Sequence, residues 1–480
     1  MGLDELLAVV DGAEVALDDR VLVRIADSRA VVERTLTTGA DVYGMTTQVG
    51  HGKDTRLTAE QIRHQQLALV TSHGGGIGEP LPTEIVRAAM AVRLNGIARG
   101  WSGAAPAVAD TLVAMLNARV TPLVPRTGSV GAGDLGQMAM IAQVAVGLGR
   151  ADCAGETLSG AEALRRAGIA ALQLGGRDGL ALIATNGVSI GQAALVVARA
   201  EAIAGAADVA AALSMEATRA NPSVLHPAVG RAKPIPGQVA AADHLRELLD
   251  GGDLLRTGAA RSVQDALSFR VVPQVHGALR EYVAGTRRAV LTELNAGSDN
   301  PLTDSSEQTM ISNGNFHPMV LAISCDALRV ALAHVGELSE RRMDQLWKGF
   351  FGRPTGWPSP PSYGMQVRYP AAAVLSELKQ QAAPATLDTP PLDLGIEDHA
   401  TGAPLSVRRT DAALGLLEDL LAAELMLAHD LLAGAPELPR LGVGTAVAQD
   451  LVEDAIAAAE DRPDAEHRAV RERLRIPYSN

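Results

Sequence analysis

Apolar residues recur at three- and four-residue spacing along most of this chain, a pattern that predicts helices and few strands. Val21 to Leu36 alternates apolar and charged residues at that spacing and stops at Gly39-Ala40-Asp41, ahead of a loop carrying Tyr43. Ala59 to His73 reads as a second helix ended by Gly74-Gly75-Gly76, Pro82 to Arg99 as a third ended by Gly100, and Ala107 to Arg119 as a fourth before Pro122 and Pro125. Val188 to Thr218 is almost entirely alanine, valine, leucine and isoleucine, too long for a strand and suited to a core helix. Val263 to Leu294 and Met319 to Met343 are two more long patterns, with Pro273 expected to kink or break the first. Helices of about 25 to 30 residues span roughly 40 Å at about 1.5 Å per residue, so the three long ones imply a bundle. Trp347 to Pro370, rich in proline, glycine and aromatic residues, reads as a surface excursion or lid, and Pro384 to Pro404 as a second loop. Helices are expected around them at Ala371 to Ala382, Val407 to Leu432 and Ala446 to Glu460, with a soft boundary near Gly352. The expected class is mainly α, with little β.

Composition narrows the picture. Hydrophobic residues make up 47% of the chain and aromatic ones only 2%, which favours helices packed closely through small side chains. A net charge of −13 without a dense basic run argues against nucleic acid or an anionic membrane as partner. The N-terminus carries acids where a secretory signal carries bases, so no targeting segment is expected. Gly179 to Ala198 is uncharged and long enough to span a bilayer, but its Thr185, Asn186, Ser189 and Gln192 favour burial in a helical core. Cys153 and Cys325 form neither a disulfide framework nor a zinc motif, and a cytoplasmic location is the expectation.

The stretch Thr127 to Gln137 holds Gly128, Gly131 and Gly133, which permit a tight turn with exposed main-chain N–H groups, and Asp134 is placed to cap the apolar helix that follows. Polar residues also cluster at Tyr43-Gly44-Met45-Thr46-Thr47, at Ser72-His73, at Gln264 to Arg270 and at Ser312 to His317, with Glu397-Asp398-His399 farther on. A loop tyrosine can act as a base or simply pack; a helix-end histidine can bind or simply be satisfied. Gln264 and Leu267, or Ala266 and Arg270, would share a helix face, so Arg270 can reach a carboxylate in a cleft or form a surface ion pair. Gly50-His51-Gly52-Lys53-Asp54 fails as a phosphate loop because Thr47 and Asp54 stand where a glycine and a hydroxyl residue are needed. Metal, nucleotide and serine-hydrolase motifs do not occur.

Taken together, in order and over nearly the whole chain, these stretches resemble the aromatic amino acid lyase family of histidine and phenylalanine ammonia-lyases. Tyr43-Gly44-x-Thr46-Thr47 is similar to its first loop, and Gln66 to His73, Gly76 to Leu81 and Arg99 to Gly103 to the next blocks. Gln264-Asp265, Ser268, Arg270, Pro273 to Val275, Ser298 to Leu302, Gly314 to His317, Ser339 to Arg342 and Glu397 to His399 complete the likeness. The resemblance implies a long-helix bundle of the ammonia-lyase/fumarase-like type and a homotetramer whose active sites draw on three subunits. It implies an N-terminal domain over 1–200, a central bundle over 201–350 and a C-terminal layer over 351–480. It makes Tyr43 and Glu397 the expected catalytic residues, Tyr43 as base for the β-proton, with Arg270 and Asn315 at the substrate carboxylate and Phe316 beside the prosthetic group. His73 and Glu397 match the histidine ammonia-lyase versions, which suit an imidazole ring, and Gln264 belongs to the substrate-binding set.

The departures are equally specific. The family motif Gly-Ser-Val-Gly-Ala-Ser-Gly-Asp-Leu, whose Ala-Ser-Gly becomes the electrophilic methylidene-imidazolone group, runs here from Ala132 straight to Gly133. Cyclisation around Ser129 would need the N–H of branched Val130, which disfavours it. Leu267 replaces a second tyrosine, Gln48-Val49 replaces Gly-Phe, Ile396 replaces a glutamine, and the asparagine beside the electrophile is lost or displaced to Asn186. No prosthetic group and no metal are therefore expected. The expected function is elimination of an amine from an imidazole-type amino acid or its betaine. A repurposed or inactive lyase-fold protein that binds an aromatic or imidazole acid is the alternative, and a conventional ammonia-lyase or aminomutase the third reading.

Overall fold

A computed structural model describes residues 1–351, 367–387, 389–435, 437–459 and 463–474. Of the structure, 64% is helical and 6% strand, so the chain is mainly α. It forms two compact units, each assembled from separated stretches: Met1–Leu195, Arg287–Ile323 and Ala385–Arg408 in the first, Val196–Thr286, Ser324–Pro384 and Arg409–Asn480 in the second. The division expected along the chain follows residue order, whereas these units gather stretches hundreds of residues apart.

In the first unit, helices Asp19–Thr38, Ala59–His73, Thr83–Ala98 and Pro106–Asn117 fall within two residues of the expected bounds, and local chemistry sets their ends. The Asp18 carboxylate accepts from the Val21 N–H at 2.8 Å, and Thr58 and Gln61 form a reciprocal capping box. An additional helix, Leu3–Asp11, is held by buried Arg87, which donates to the carbonyls of Val9 (2.6 Å), Val10 (3.0 Å) and Leu116 (3.0 Å). One arginine thus satisfies carbonyls left open at two helix ends. Short antiparallel strands pair Ile77–Pro80 with Pro125–Thr127, Val120–Pro122 with Arg150–Cys153 and then Glu156–Ser159, and Leu302–Asp304 with Thr309–Ile311. At three or four residues each, they are too short to leave a readable period.

Several expectations need correction. Val263 to Leu294 is not continuous: a single turn, Leu267–Arg270, precedes helix Val272–Leu294. Pro273 sits in the first turn of the latter, where a missing N–H breaks no bond, so it starts the helix instead of kinking it. Gln264 lies before the short turn and shares no helix face with Leu267. Trp347 to Phe351 form the end of helix Met319–Phe351, and Tyr369-Pro370 lie in the first turn of helix Arg368–Gln381; the stretch 352–366 of the expected lid, with the boundary at Gly352, lies outside the described residues. The most apolar window of Asp178–Thr218, with mean hydropathy 1.7, is 89% buried in protein, as a core helix requires.

The first unit is pinned internally by charge. Asp299, 1% exposed, accepts from Arg93 at 2.8 and 3.0 Å, and Arg177 donates to the carbonyls of Ser102 (3.0 Å) and Pro301 (2.7 Å) while facing the same carboxylate at 3.5 Å. In the second unit, fully buried Glu424 accepts from Arg342 at 2.6 and 2.9 Å and from the Ser214 hydroxyl at 2.6 Å.

Asp299→Ala would strand two buried guanidinium groups and is expected to destabilise the fold by about 3–5 kcal/mol, read as a lowered denaturation midpoint or loss of soluble protein. Glu216 provides a pH-dependent case. Its buried carboxyl, which accepts from the Gly442 N–H at 2.9 Å, is pushed up to about 7 by lost solvation. A carboxyl of higher pKa folded than unfolded weakens the fold as pH climbs from the unfolded value of about 4.3 through the folded one. Glu216→Gln should therefore raise the melting temperature at pH 8 by a few degrees and leave it nearly unchanged at pH 4.5.

Candidate active site

The glycine-rich turn leaves strand Pro125–Thr127 and enters helix Leu135–Ala145. Ser129 organises it: its hydroxyl donates to the Gly133 carbonyl at 3.1 Å and accepts from the Gly131 N–H at 3.0 Å. The Thr401 hydroxyl donates to the Gly131 carbonyl at 2.8 Å, and the Gly402 N–H to that of Val130 at 2.9 Å. Asp134 does not cap the following helix as expected. Fully buried, its carboxylate accepts from the N–H (2.8 Å) and hydroxyl (3.0 Å) of Ser189, so it caps the head of helix Gly187–Thr218. Burial raises its pKa, and the hydrogen bonds from Ser189 oppose that rise. At Gly133 the backbone has φ +85°, and a Cβ there would lie 2.5 Å from Leu135 Cδ1.

Tyr43 stands on a turn closed by the Thr46 hydroxyl, which donates to the Ala40 carbonyl at 2.8 Å and accepts from the Val42 N–H at 2.7 Å. Buried Gln66 ties the turn to neighbouring helices, its amide reaching the Gly44 carbonyl at 3.4 Å and accepting from the Leu180 N–H at 3.1 Å. The phenol oxygen of half-buried Tyr43 accepts from the Gly50 N–H at 2.9 Å. Lost solvation raises its pKa; the Gly50 contact lowers it, and Glu397 and Asp393 push it up further.

Glu397 belongs to a small loop whose ends are joined by Leu392 and Glu397, backbone to backbone, at 2.8 and 3.3 Å. Its carboxyl lies above the usual range through lost solvation, with Asp393 adding to the shift and His73 opposing it. His73 Nδ1 is 2.9 Å from the Leu69 carbonyl. That nitrogen therefore carries a hydrogen, and Nε2 is the ring's remaining polar atom.

Tyr43, His73 and Glu397 line one cavity of about 810 Å³ together with Ala132, Gly133 and Leu135. An adjoining chamber of about 70 Å³ shares these residues and adds Phe316, Ala184 and Asn300. The other expected residues lie elsewhere. Asn186 is buried at the start of helix Gly187–Thr218 and lines neither space, whereas Ala184 does. Asn315 is exposed, its amide donating to the Gly297 carbonyl at 3.2 Å. His317 and His399 approach at 2.8 Å, and lost solvation and the neighbouring ring lower the pKa of His317. Gln264 and Arg270 belong to the second unit, Arg270 as the last residue of the turn Leu267–Arg270.

Sequence reasoning missed His51 and Asp393. The His51 ring meets Asp393 Oδ1 at 2.6 Å through Nδ1, and its backbone N–H reaches Oδ2 at 2.8 Å, both residues bordering the larger cavity. The available signals were a glycine-flanked histidine, set aside with the failed phosphate loop, and an acid four residues before Glu397.

Comparison with known proteins places this geometry in context. The model of the aromatic amino acid lyase family matches residues 1–453. Histidine ammonia-lyase of Gloeobacter violaceus is 38% identical over 436 residues, covering 89% of this chain and 85% of its own, and that of Caldanaerobacter subterraneus subsp. tengcongensis is 36% identical over 431, covering 88% and 84%. Among solved structures, the ergothioneine-degrading ergothionase of Treponema denticola, in complex with desmethyl-ergothioneine sulfonic acid, superposes with a TM-score of 0.92 at 25% identity, over 99% of this chain and 98% of that one. Histidine ammonia-lyase of Trypanosoma cruzi gives 0.88 at 30% identity, over 99% and 92%. With its helical fold, its ordered motifs and a match across nearly its whole length, this chain belongs to the aromatic amino acid lyase family and is a carbon–nitrogen lyase.

Proposed function

We propose that this lyase eliminates an amine from an imidazole-type amino acid, above all from a trimethylammonium betaine of one, without a methylidene-imidazolone group. The observation that carries this reading is the meeting of Tyr43, His73 and Glu397 on one cavity beside Ala132-Gly133. An imidazole can pair with a carboxylate and a ring nitrogen there, and Phe316 adds an aromatic wall in the adjoining chamber. Arg270 is assigned to the substrate carboxylate, supplied by a neighbouring subunit of a homotetramer, with Gln264 and Asn315 in supporting positions.

The residues at the turn do not fit the family's prosthetic group. Ala132 is bonded directly to Gly133, and no serine side chain intervenes to become the methylidene. The Ser129 hydroxyl, the nearest alternative, is engaged with Gly133 and Gly131. Elimination then rests on acid–base and electrostatic help. The Tyr43 phenolate takes the β-proton, the C–H pair becomes the Cα–Cβ double bond, and the C–N pair leaves on nitrogen. A primary ammonium would surrender its own proton first and then leave poorly. A trimethylammonium has no such proton and departs as neutral trimethylamine. The similarity to an ergothioneine-degrading enzyme supports the same substrate class, since ergothioneine is a betaine of thiol-histidine.

Purified protein should release an ultraviolet-absorbing urocanate-type product from hercynine or ergothioneine, and less or none from histidine; no product from any of the three would sink the proposal. Tyr43→Phe should reduce turnover by about 10²–10⁴-fold while leaving substrate binding intact. Because the phenol must be ionised and its pKa is raised, kcat/KM should climb with pH on the alkaline side. Intact mass should equal that of the unmodified chain, and a deficit of two waters would show that the electrophile forms after all.

A further inference from the structure

Among the described residues, the hydrogen bond that favours ionisation of Tyr43 comes from the Gly50 N–H at 2.9 Å. Gly50 opens the 3-10 turn Gly50–Gly52, at the tip of a loop whose base is closed by the Thr47–Arg56 backbone bridge and by the Gln48 N–H on the Thr55 carbonyl at 3.0 Å. The turn is fastened at its next residue. His51 grips one carboxylate with two donors, its backbone N–H on Asp393 Oδ2 at 2.8 Å and its ring Nδ1 on Oδ1 at 2.6 Å. A pair of contacts to one planar carboxylate fixes orientation as well as distance.

Both partners are shaped for this contact. Gly50 has φ +60°, and a Cβ there would fall 2.1 Å from Asp393 Oδ2, so glycine alone lets the carboxylate come so close. Asp393 and Leu394 both hold left-handed backbone, φ +46° and +56°, a conformation that aspartate tolerates and that is unfavourable for leucine. The Leu392–Glu397 backbone bridge closes that loop and sets Asp393 and Glu397 on the same cavity. The titratable groups around Tyr43 are thus Glu397 and Asp393 on one loop, His51 on the turn and His73 at the end of helix Ala59–His73.

We propose that His51 and Asp393 are positioning residues for Tyr43: their two-point contact holds the Gly50–Gly52 turn so that the Gly50 N–H stays on the phenol oxygen. The consequence for catalysis rests on the reading of Tyr43 as the base; the contact itself does not. Holding a donor on the oxygen stabilises the phenolate against the two nearby carboxylates and the lost solvation, and it aims that oxygen into the cavity. Neither residue is required to touch substrate for this.

Tyrosinate absorbance, titrated against pH in the full chain, tests the contact without a substrate. The chain has five tyrosines, so each curve is taken as a difference against the same protein carrying Tyr43→Phe. His51→Ala is expected to raise the Tyr43 pKa by about 0.5–1 pH unit, the worth of one net hydrogen bond. His51→Asn keeps an N–H donor near the position of Nδ1 and should return the titration close to that of the parent. With hercynine or ergothioneine as substrate, His51→Ala should lower kcat by about tenfold with KM nearly unchanged, and His51→Asn should restore it. A His51→Ala titration that coincides with the parent, or a His51→Asn shift as large as that of alanine, overturns the proposal. Should Tyr43→Phe retain full turnover, the base assignment falls, and the titration still decides whether the contact positions the phenol.

Discussion

The buried carboxylate of Asp134 is the constraint on which the site depends. It caps the helix beginning at Gly187 through the N–H and hydroxyl of Ser189, and its own backbone N–H, at the end of the glycine-rich turn, donates to the Thr185 carbonyl at 2.8 Å. A carboxylate without water must have its lone pairs satisfied, so the turn cannot shift without exposing a helix end and a desolvated acid together. This fixes Ala132 and Gly133 as one wall of the cavity, whatever chemistry is done there. In this chain that wall lacks the serine from which the family's electrophile is drawn.

On the proposed reading of Tyr43 as the base, the balance of charge around its phenol sets the problem to be solved. Lost solvation and two carboxylates, Glu397 and Asp393, all oppose the phenolate, and one backbone N–H favours it. The same carboxylates make the cavity hospitable to a cation, which suits an ammonium substrate whose arrival would itself ease ionisation of the phenol. In that proposal, base and substrate stabilise one another's charge.

Much of this was legible along the chain. Helix ends at Asp18, Thr58 and the glycines after His73 and Arg99 obey signals within four residues, and periodicity located the long helices. Motif order brought out Tyr43, His73 and Glu397, which the fold does bring to one cavity. Pro273 was misread because the same residue that breaks a helix interior is harmless in a first turn, and the pattern does not reveal where the turn begins. Asn186 was named from its spacing to a family motif, but burial at a helix head keeps it out of the cavity that Ala184 lines.

By itself the sequence determined the helical class, the family and the absence of a serine between Ala132 and Gly133, because each is written in neighbouring residues or in their order. Only the tertiary structure decided what Asp134 caps, 55 positions away, and that His51 meets Asp393 across 342. No local pattern encodes such pairings. They follow from how packed helices carry their loops together, and from the need of every buried or crowded polar group to find a partner.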